Sequence, residues 1–259
     1  MGGDGPPLLL LHGAPGSAQS WTKAGVRLVN RFRVIIPDLA GFGASEPGAD
    51  GASLLDQAQA VRNLLQHLQL KALHLGGHGF GALVGLTLLQ NYPEIRARGL
   101  ILAASNPLGD AQPMSVLRLA AFPGLGALLA GNRWGLRLLY QRAVVNQEEF
   151  PWADYRRHLT KQSIAQTQRI LHQRMGGLRQ TVAPLTELLP TLACPTLLLW
   201  GDEDPLLPVE IALKLRATLP DALLKVYAYT GHFVPEERSI ETAEDIVLRF
   251  YQEPPSIVP

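Results

Sequence analysis

Apolar residues along this chain fall into two kinds of segment, short unbroken runs and longer stretches with helical spacing. An unbroken apolar run of about four to eight residues is typical of a strand buried on both faces of a parallel sheet. The runs here end in glycine, proline or polar residues, which favour loops. Residues 8–11 form such an unbroken run, and short, mainly apolar runs predict further strands at residues 33–37, 72–75, 99–105, 195–200 and 223–229.

Helical spacing of apolar residues lies between these runs. It predicts helices at residues 19–30, 53–68, 80–92, 209–219 and 240–250. In the first helix we expect Trp21, Val26 and the pair Leu28–Val29 to face inward, and Ser53 is suited to cap the second. The alternation of strand and helix predicts an α/β fold, with a mostly parallel sheet covered by helices on both faces.

This alternation stops in the middle of the chain. Residues 107–185 show helical periodicity and no convincing strand, and the α/β pattern resumes with the strand that begins at Pro195. We therefore predict a core formed by residues 1–106 and 186–259, with residues 107–185 inserted as a helical cap.

Composition narrows the class of protein. A length of 259 residues with 47% hydrophobic residues suits one large α/β domain, and a net charge of +1 gives no general case for nucleic acid. A single cysteine, Cys194, excludes an intramolecular disulfide and fits a reducing compartment. Because no signal peptide or membrane-length apolar run is evident, we expect a cytoplasmic protein without a membrane partner.

The most informative stretch is residues 77–81, Gly-His-Gly-Phe-Gly, where a strand passes at once into a helix. So sharp a turn needs small residues on both sides of its apex, because the two backbones pass close together. Gly77 and Gly81 supply them in the pattern Gly-x-nucleophile-x-Gly, whose apex should be Ser, Cys or Asp. Here the apex is Gly79, so the reactive atom is missing.

The same glycines allow a rival interpretation. Gly77, Gly79 and Ala82 also fit the dinucleotide-binding pattern G-x-G-x-x-G/A. That fold places an acidic residue roughly 20 residues further on, at the end of the next strand. The next predicted strand ends in Ser-Asn-Pro at residues 105–107, without a carboxylate.

Acyl transfer on an α/β sheet requires a nucleophile, a carboxylate and a histidine, in that order along the chain, on loops beyond the strand ends. Gly79, Asp204 and His232 occur in this order, each just beyond a predicted strand. Asp202 and Asp110 are alternative partners for the histidine.

Together these motifs resemble cap-bearing α/β-hydrolases of the esterase, carbon–carbon hydrolase and proline-iminopeptidase type. The resemblance covers nearly the whole chain. It rests on Leu-Leu-Leu-His12-Gly13, Pro37-Asp38-Leu-Ala-Gly41-Phe42-Gly43, residues 77–81, Trp200-Gly201-Asp-Glu-Asp204-Pro205 and Gly231-His232-Phe233. It implies an α/β-hydrolase fold, Asp204 as the partner of His232, and the backbone N–H groups of Ala14 and Phe80 as oxyanion donors.

The start of the chain departs from the family pattern. These proteins usually carry two strands before the His-Gly strand, whereas Met1 stands only a few residues ahead of Leu8. If that pair of strands is absent, the strand at residues 34–36 becomes an open sheet edge that could pair with another chain. The oligomeric state does not follow from the sequence.

The remaining candidate residues have structural interpretations. We expect His12 and His78 to be packing and loop residues and Asp38 to shape its loop. The other histidines show no metal-ligand spacing, and we expect neither a metal nor a cofactor. They are His67, His74, His158 and His172.

Three functional hypotheses remain for a small-molecule substrate or ligand. The first is a relative of the serine hydrolases, acting on an ester or related acyl substrate, that is inactivated by Gly79 in place of the nucleophile. The second is a natural non-catalytic protein that binds a small molecule. The third is an enzyme in which His232, oriented by Asp204, acts as a general base without a covalent step. We favour the first and keep a dinucleotide-binding oxidoreductase as a distant alternative.

Overall fold

The computed structural model describes residues 1–48, 53–109, 133–152 and 160–251. Six strands form one sheet in the order β2-β1-β3-β4-β5-β6, and every neighbouring pair is parallel. The strands are β1 (Pro7–Leu11), β2 (Arg33–Ile35), β3 (Ala72–His78), β4 (Arg96–Ala103), β5 (Thr196–Gly201) and β6 (Ala222–Tyr227). All six predicted strands are present, with shifted ends, and the predicted fold class is confirmed.

Helices connect the strands and cover the sheet. They are α1 (Gln19–Leu28), α2 (Leu54–His67), α3 (Phe80–Asn91), α4 (Arg133–Ala143), α5 (Lys161–Leu188), α6 (Val209–Thr218), α7 (Val234–Glu237) and α8 (Ser239–Phe250), with a 3₁₀ turn at Leu189–Thr191. Ser53 caps α2 as predicted, because its side chain accepts a hydrogen bond from the Asp56 N–H. None of the helices in the described ranges is long and apolar enough to cross a membrane.

The sheet separates two hydrophobic cores. In β1, Leu9 and Leu11 face a core shared with α2, α3 and α6, whereas Leu8 and Leu10 face a core shared with α1 and α8. All four leucines are completely buried, as expected for a central parallel strand with both faces covered. The unbroken apolar run that predicted β1 therefore supplies side chains to both cores.

Helix α1 corrects one inward-facing assignment. Trp21, Ala24 and Leu28 are completely buried, but the side chain of Val26 is 64% exposed. Buried residues on a helix recur at intervals of three and four, and Val26 lies two positions after Ala24. The prediction for Val26 was wrong because apolar character alone does not decide on which face of a helix a residue lies.

The predicted cap coincides with helical structure where it is described. Between residues 107 and 185, the described residues include α4, most of α5 and non-helical segments at 107–109 and 144–151, and no strand occurs among them. Helix α5 continues through residue 185 to Leu188, so the predicted boundary falls inside a helix. The division into core and cap remains a prediction.

Strand β2 lies at one edge of the described sheet. Gly2 bridges it in antiparallel orientation, because the Gly2 N–H donates to Val34 O at 3.2 Å and the Val34 N–H donates to Gly2 O at 2.8 Å. This bridge covers part of the edge that the sequence predicts to be open. Pairing of β2 with another chain remains a prediction.

At the turn between β3 and α3, the backbones of β3, α3 and the end of β1 pass close to one another. A Cβ at Gly77 would lie 2.3 Å from Ala82 N, and one at Gly81 would lie 2.5 Å from the carbonyl oxygens of His12 and Leu11. Backbone atoms cannot move aside as a flexible side chain can. Glycine is therefore required on both sides of Gly79.

We expect Gly81→Ala to lower the free energy of unfolding by about 1–3 kcal/mol, because the added methyl group overpacks against β1. Gly85→Ala is the matched control in the same helix, since its Cβ would meet only the Leu75 side chain, at 3.3 Å. Urea denaturation of both variants tests the expectation. Equal losses in the two variants would contradict the close approach at Gly81.

Candidate active site

Gly79 occupies the apex between β3 and α3 with an unusual backbone. Its φ is +50° and its ψ is −112°, a conformation that residues with a Cβ rarely adopt. The Gly79 N–H donates to Ala103 O at 2.9 Å, which ties the apex to the end of β4. A Cβ here would have His232 Nε2 at 3.7 Å and Ala104 O at 3.8 Å as its nearest neighbours. The apex therefore has room for a side chain, and that side chain would contact His232.

Asp204 and His232 form a hydrogen-bonded pair across two loops. The His232 Nδ1–H donates to Asp204 Oδ2 at 2.8 Å, and the Asp204 side chain is fully buried while that of His232 is 12% exposed. The other carboxylate oxygen, Oδ1, accepts from the N–H groups of Leu206 at 2.8 Å and Leu207 at 2.9 Å. The carboxylate is thus oriented by backbone donors as well as by the histidine.

Of the two alternative acidic partners, the one that the structure describes lies elsewhere. Asp202 is exposed, and its Oδ1 accepts from the Thr230 N–H at 3.3 Å. Asp110 lies outside the described residues. Among the described candidates, the structure brings Asp204 to His232.

This arrangement sets the tautomer of His232. A carboxylate oxygen can only accept, so the proton between His232 and Asp204 belongs to Nδ1. In the neutral ring, Nε2 then carries a lone pair, and Nε2 is the atom nearest to a Cβ at Gly79. A general base in this geometry would take a proton from a group at the apex.

His78 supports the histidine loop from below. Its ring lies 4.9 Å from the ring of His232, and its Nε2–H donates to His232 O at 2.9 Å. Burial, with a smaller contribution from the neighbouring His232 ring, lowers the pKa of His78 to about 3. His78 is therefore a neutral packing residue near physiological pH, as expected.

The loop after β1 contacts the apex turn. His12 accepts a hydrogen bond from the Leu39 N–H at its Nε2, at 2.9 Å, so its Nδ1–H is the donor to Gly13 O at 2.7 Å. A Cβ at Gly13 would lie 2.7 Å from His78 Nδ1, which shows how closely this loop approaches the turn. The loop thereby brings Ala14 to the same end of the sheet as Phe80.

Phe80 is the first residue of α3, and N–H groups in the first turn of a helix have no intrahelical acceptor. Such a donor can bind an anion or a developing oxyanion.

Asp38 shapes the neighbouring loop as expected, accepting from the Ala18 N–H at 2.7 Å and the Ala44 N–H at 2.9 Å.

Aromatic residues from α4 and the segment after it cover the histidine loop. The ring of Tyr140 stacks on that of Phe233 at 4.4 Å, and Phe150 contacts Phe233 edge-on at 5.6 Å. The Tyr140 hydroxyl donates to Pro15 O. Helix α4 is therefore attached both to the loop of His232 and to the loop of Ala14.

Two adjacent buried glutamates in α7 went unnoticed in the sequence. Glu237 accepts hydrogen bonds from the N–H groups of Gly231 and Phe233, on either side of His232. Glu236 points elsewhere, and its Oε2 has no partner among the described residues. Burial raises the pKa of Glu236 to about 8, opposed by a hydrogen bond from Ser20. The sequence signal for both residues is that two glutamates follow directly after the apolar Phe233-Val234-Pro235, where burial of a carboxyl is unexpected.

Two of the other histidines, His67 and His74, lie away from this site. His67 is exposed on α2, and His74 packs between Phe32 and Phe250, where burial lowers its pKa to about 4. His158 lies outside the described residues. Within the described ranges, no group of three or more His, Cys, Asp or Glu side chains could hold a metal ion.

Comparison with known proteins identifies the family. Residues 6–239 match the family model for the alpha/beta hydrolase fold. The chain belongs to the α/β-hydrolase family. Membership in this family leaves the dinucleotide-binding alternative without support.

Relatives within the α/β-hydrolase family have different activities. The chain is 29% identical over 261 residues to haloalkane dehalogenase 2 of Mycobacterium tuberculosis, which covers 96% of this chain and 89% of the relative. It is 27% identical over 260 residues to a 2-hydroxy-6-oxononadienedioate/2-hydroxy-6-oxononatrienedioate hydrolase of Comamonas testosteroni, covering 92% and 85%. A solved structure of a thermophilic esterase from Thermogutta terrifontis matches with a TM-score of 0.73 at 27% identity, covering 95% of this chain and 89% of that one.

We expect Asp204→Asn to reverse the tautomer of His232. The amide would present an N–H group to Nδ1, which must then accept, so the ring proton moves to Nε2. Long-range ¹H–¹⁵N correlation spectra of histidine-labelled protein distinguish the two tautomers. Asp202→Asn is the matched control and should leave the spectrum of His232 unchanged, while an unchanged spectrum in Asp204→Asn would contradict the observed pairing.

Because burial raises the pKa of Glu236, this residue should make the free energy of unfolding depend on pH above the ordinary pKa of a glutamate. Between about pH 4.5 and 8 the folded chain keeps a proton on Glu236 that the unfolded chain has lost, so this group destabilises the fold as pH rises. We expect Glu236→Gln to gain stability relative to the parent chain across that window. Urea midpoints of both chains at a series of pH values measure the difference, and a constant difference would contradict the raised pKa.

Proposed function

We propose that this α/β-hydrolase carries the binding and proton-transfer groups of a serine hydrolase for a small ester or related acyl substrate. In this proposal Gly79 stands at the nucleophile position, so the chain as written is inactivated for covalent catalysis. Helices α4 and α5 belong to a cap above the site, Asp204 orients His232, and the N–H groups of Ala14 and Phe80 are the oxyanion donors.

One observation carries the proposal. Among the described residues other than its chain neighbours, the atom nearest to a Cβ at Gly79 is His232 Nε2, at 3.7 Å. A serine hydroxyl one bond further out could reach hydrogen-bond distance of Nε2, which a general base requires of its nucleophile. This geometry supports the proposal that a hydroxyl at the apex would complete a site with His232 as base and Asp204 as its orienting carboxylate.

The chemistry follows if that hydroxyl is supplied. The serine oxygen would attack the ester carbonyl carbon while its proton passes to His232 Nε2, and the carbonyl oxygen would gain the negative charge that the N–H donors stabilise. The proton then leaves on the departing alcohol, giving an acyl-enzyme. Water activated by His232 would release the acid and restore the serine.

Substrate class is proposed from the relatives. The esterase supports an ester substrate, whereas the dehalogenase and the oxononadienedioate hydrolase show that related chains act on other small molecules. The apex residue also bears on this choice, because a carboxylate can serve as a nucleophile as well as a hydroxyl. Gly79→Ser and Gly79→Asp therefore test ester and haloalkane substrates respectively.

The orientation of His232 also supports a second candidate function. Because Asp204 holds the Nδ1–H, Nε2 is available to activate water directly against a bound substrate, without a covalent step. In that case the chain with Gly79 would itself be the active enzyme.

We expect Gly79→Ser to raise the rate of aryl-ester hydrolysis by several orders of magnitude, since it supplies the nucleophile that His232 activates. The same substitution should lower the free energy of unfolding by roughly 1–2 kcal/mol, because a side chain is strained at a φ of +50°. Initial rates with short-chain aryl esters and urea midpoints measure the two effects.

Gly79→Ala is the matched control, since it adds the same backbone strain without a nucleophile and should stay inactive. His232→Ala added to Gly79→Ser should abolish the gain. A folded Gly79→Ser chain that is inert toward every ester would refute the lost-nucleophile proposal. If the chain as written is active and loses that activity in His232→Ala, the water-activating alternative replaces it.

A further inference from the structure

On both sides of His232, the loop backbone is bonded to one buried side chain, that of Glu237. Its Oε1 accepts from the Phe233 N–H at 3.1 Å, and its Oε2 accepts from the Gly231 N–H at 3.1 Å. The residues before and after His232 are therefore both bonded to one carboxylate. Glu237 is only 2% exposed, so water competes little for these bonds.

The same carboxylate binds the segment that follows α4. Oε2 also accepts from the Val145 N–H at 2.9 Å and the Asn146 N–H at 2.8 Å. Helix α4 ends at Ala143, whose carbonyl oxygen accepts from the His232 N–H at 2.8 Å. The end of α4 and the histidine loop thus share one anionic acceptor and one direct backbone bond.

The backbones at this junction are in close contact. A Cβ at Gly231 would lie 2.2 Å from Ala143 O and 3.0 Å from Val145 N. The loop cannot shift toward α4 without a clash, and it cannot shift away without breaking the bonds to Glu237. Its position is limited from both directions.

Only a carboxylate suits this position. Four N–H donors converge on two oxygens, and hydrogen bonds to a charged acceptor are roughly twice as strong as neutral ones. A glutamine at position 237 would offer one oxygen and place its own N–H groups against backbone donors, leaving some of them buried without acceptors.

We propose that Glu237 is a positioning residue, which keeps His232 in register with Asp204 and Gly79 by locking the histidine loop to the end of α4. The inference rests on the proposed function only in treating His232 as the base. It implies that the docking of α4 and the orientation of the histidine are coupled through one side chain.

The test compares the two neighbouring glutamates in the chain as it stands. Long-range ¹H–¹⁵N spectra report whether His232 keeps the single tautomer with the proton on Nδ1. We expect Glu237→Gln to populate both tautomers, because the ring is no longer aligned with Asp204. Glu236→Gln removes an adjacent buried carboxyl that does not contact the loop, and should leave the single tautomer intact.

Glu237→Asp provides a second variant, since it keeps the charge on a side chain shorter by one methylene. It should give a mixed tautomer population in a folded chain, even if Glu237→Gln fails to fold. A single tautomer in every folded Glu237 variant would overturn the proposal. Equal tautomer mixing in Glu236→Gln would overturn it as well, since the effect would then be general destabilisation.

A kinetic comparison adds a second readout in the Gly79→Ser background. Misplacement of a catalytic base can cost up to about 100-fold in rate. We expect Glu237→Gln to lower kcat by about 10- to 100-fold with little change in KM, and Glu236→Gln to change neither. Because the tautomer is read in the chain with Gly79, an inert Gly79→Ser would refute the proposed function without deciding the role of Glu237.

Discussion

The structure of the site depends on the close passage of β3 and α3 at Gly79. The turn can form only because Gly77 lets the first turn of α3 come into contact with β3, and Gly81 lets the end of β1 come into contact with α3. That approach places the apex opposite His232 Nε2 and places Phe80 at the start of a helix. The other site residues are positioned relative to this turn.

Parts of this arrangement could be predicted because they leave local signals. Short, mainly apolar runs identified all six strands, and the glycines at 77, 79 and 81 located the turn. Asp204 and His232 were predicted from their order beyond strand ends, a consequence of parallel topology that places such loops at one edge of the sheet. In the structure these two side chains form a hydrogen bond.

Other parts depend on contacts between distant segments, which leave no local signal. Glu237 could be recognised as an acidic residue near His232, but its role depends on Val145 and Asn146, which lie more than 90 positions away in sequence. The exposure of Val26 depends on which face of α1 meets the sheet, and two apolar neighbours do not decide that. Sequence periodicity describes one element at a time, whereas these features arise where elements meet.

The hydrogen bonds that orient Asp204 and the histidine loop do not depend on a side chain at the apex. Asp204 is fixed by Leu206, Leu207 and His232, and none of these bonds involves the apex. The histidine loop is fixed by Glu237 and Ala143, again without a contribution from Gly79. A side chain at the apex would therefore be an addition to a site that is already organised, and glycine also relieves the strain that a Cβ would impose there. Because these bonds do not involve Gly79, the orientation of His232 does not depend on whether this chain catalyses a reaction.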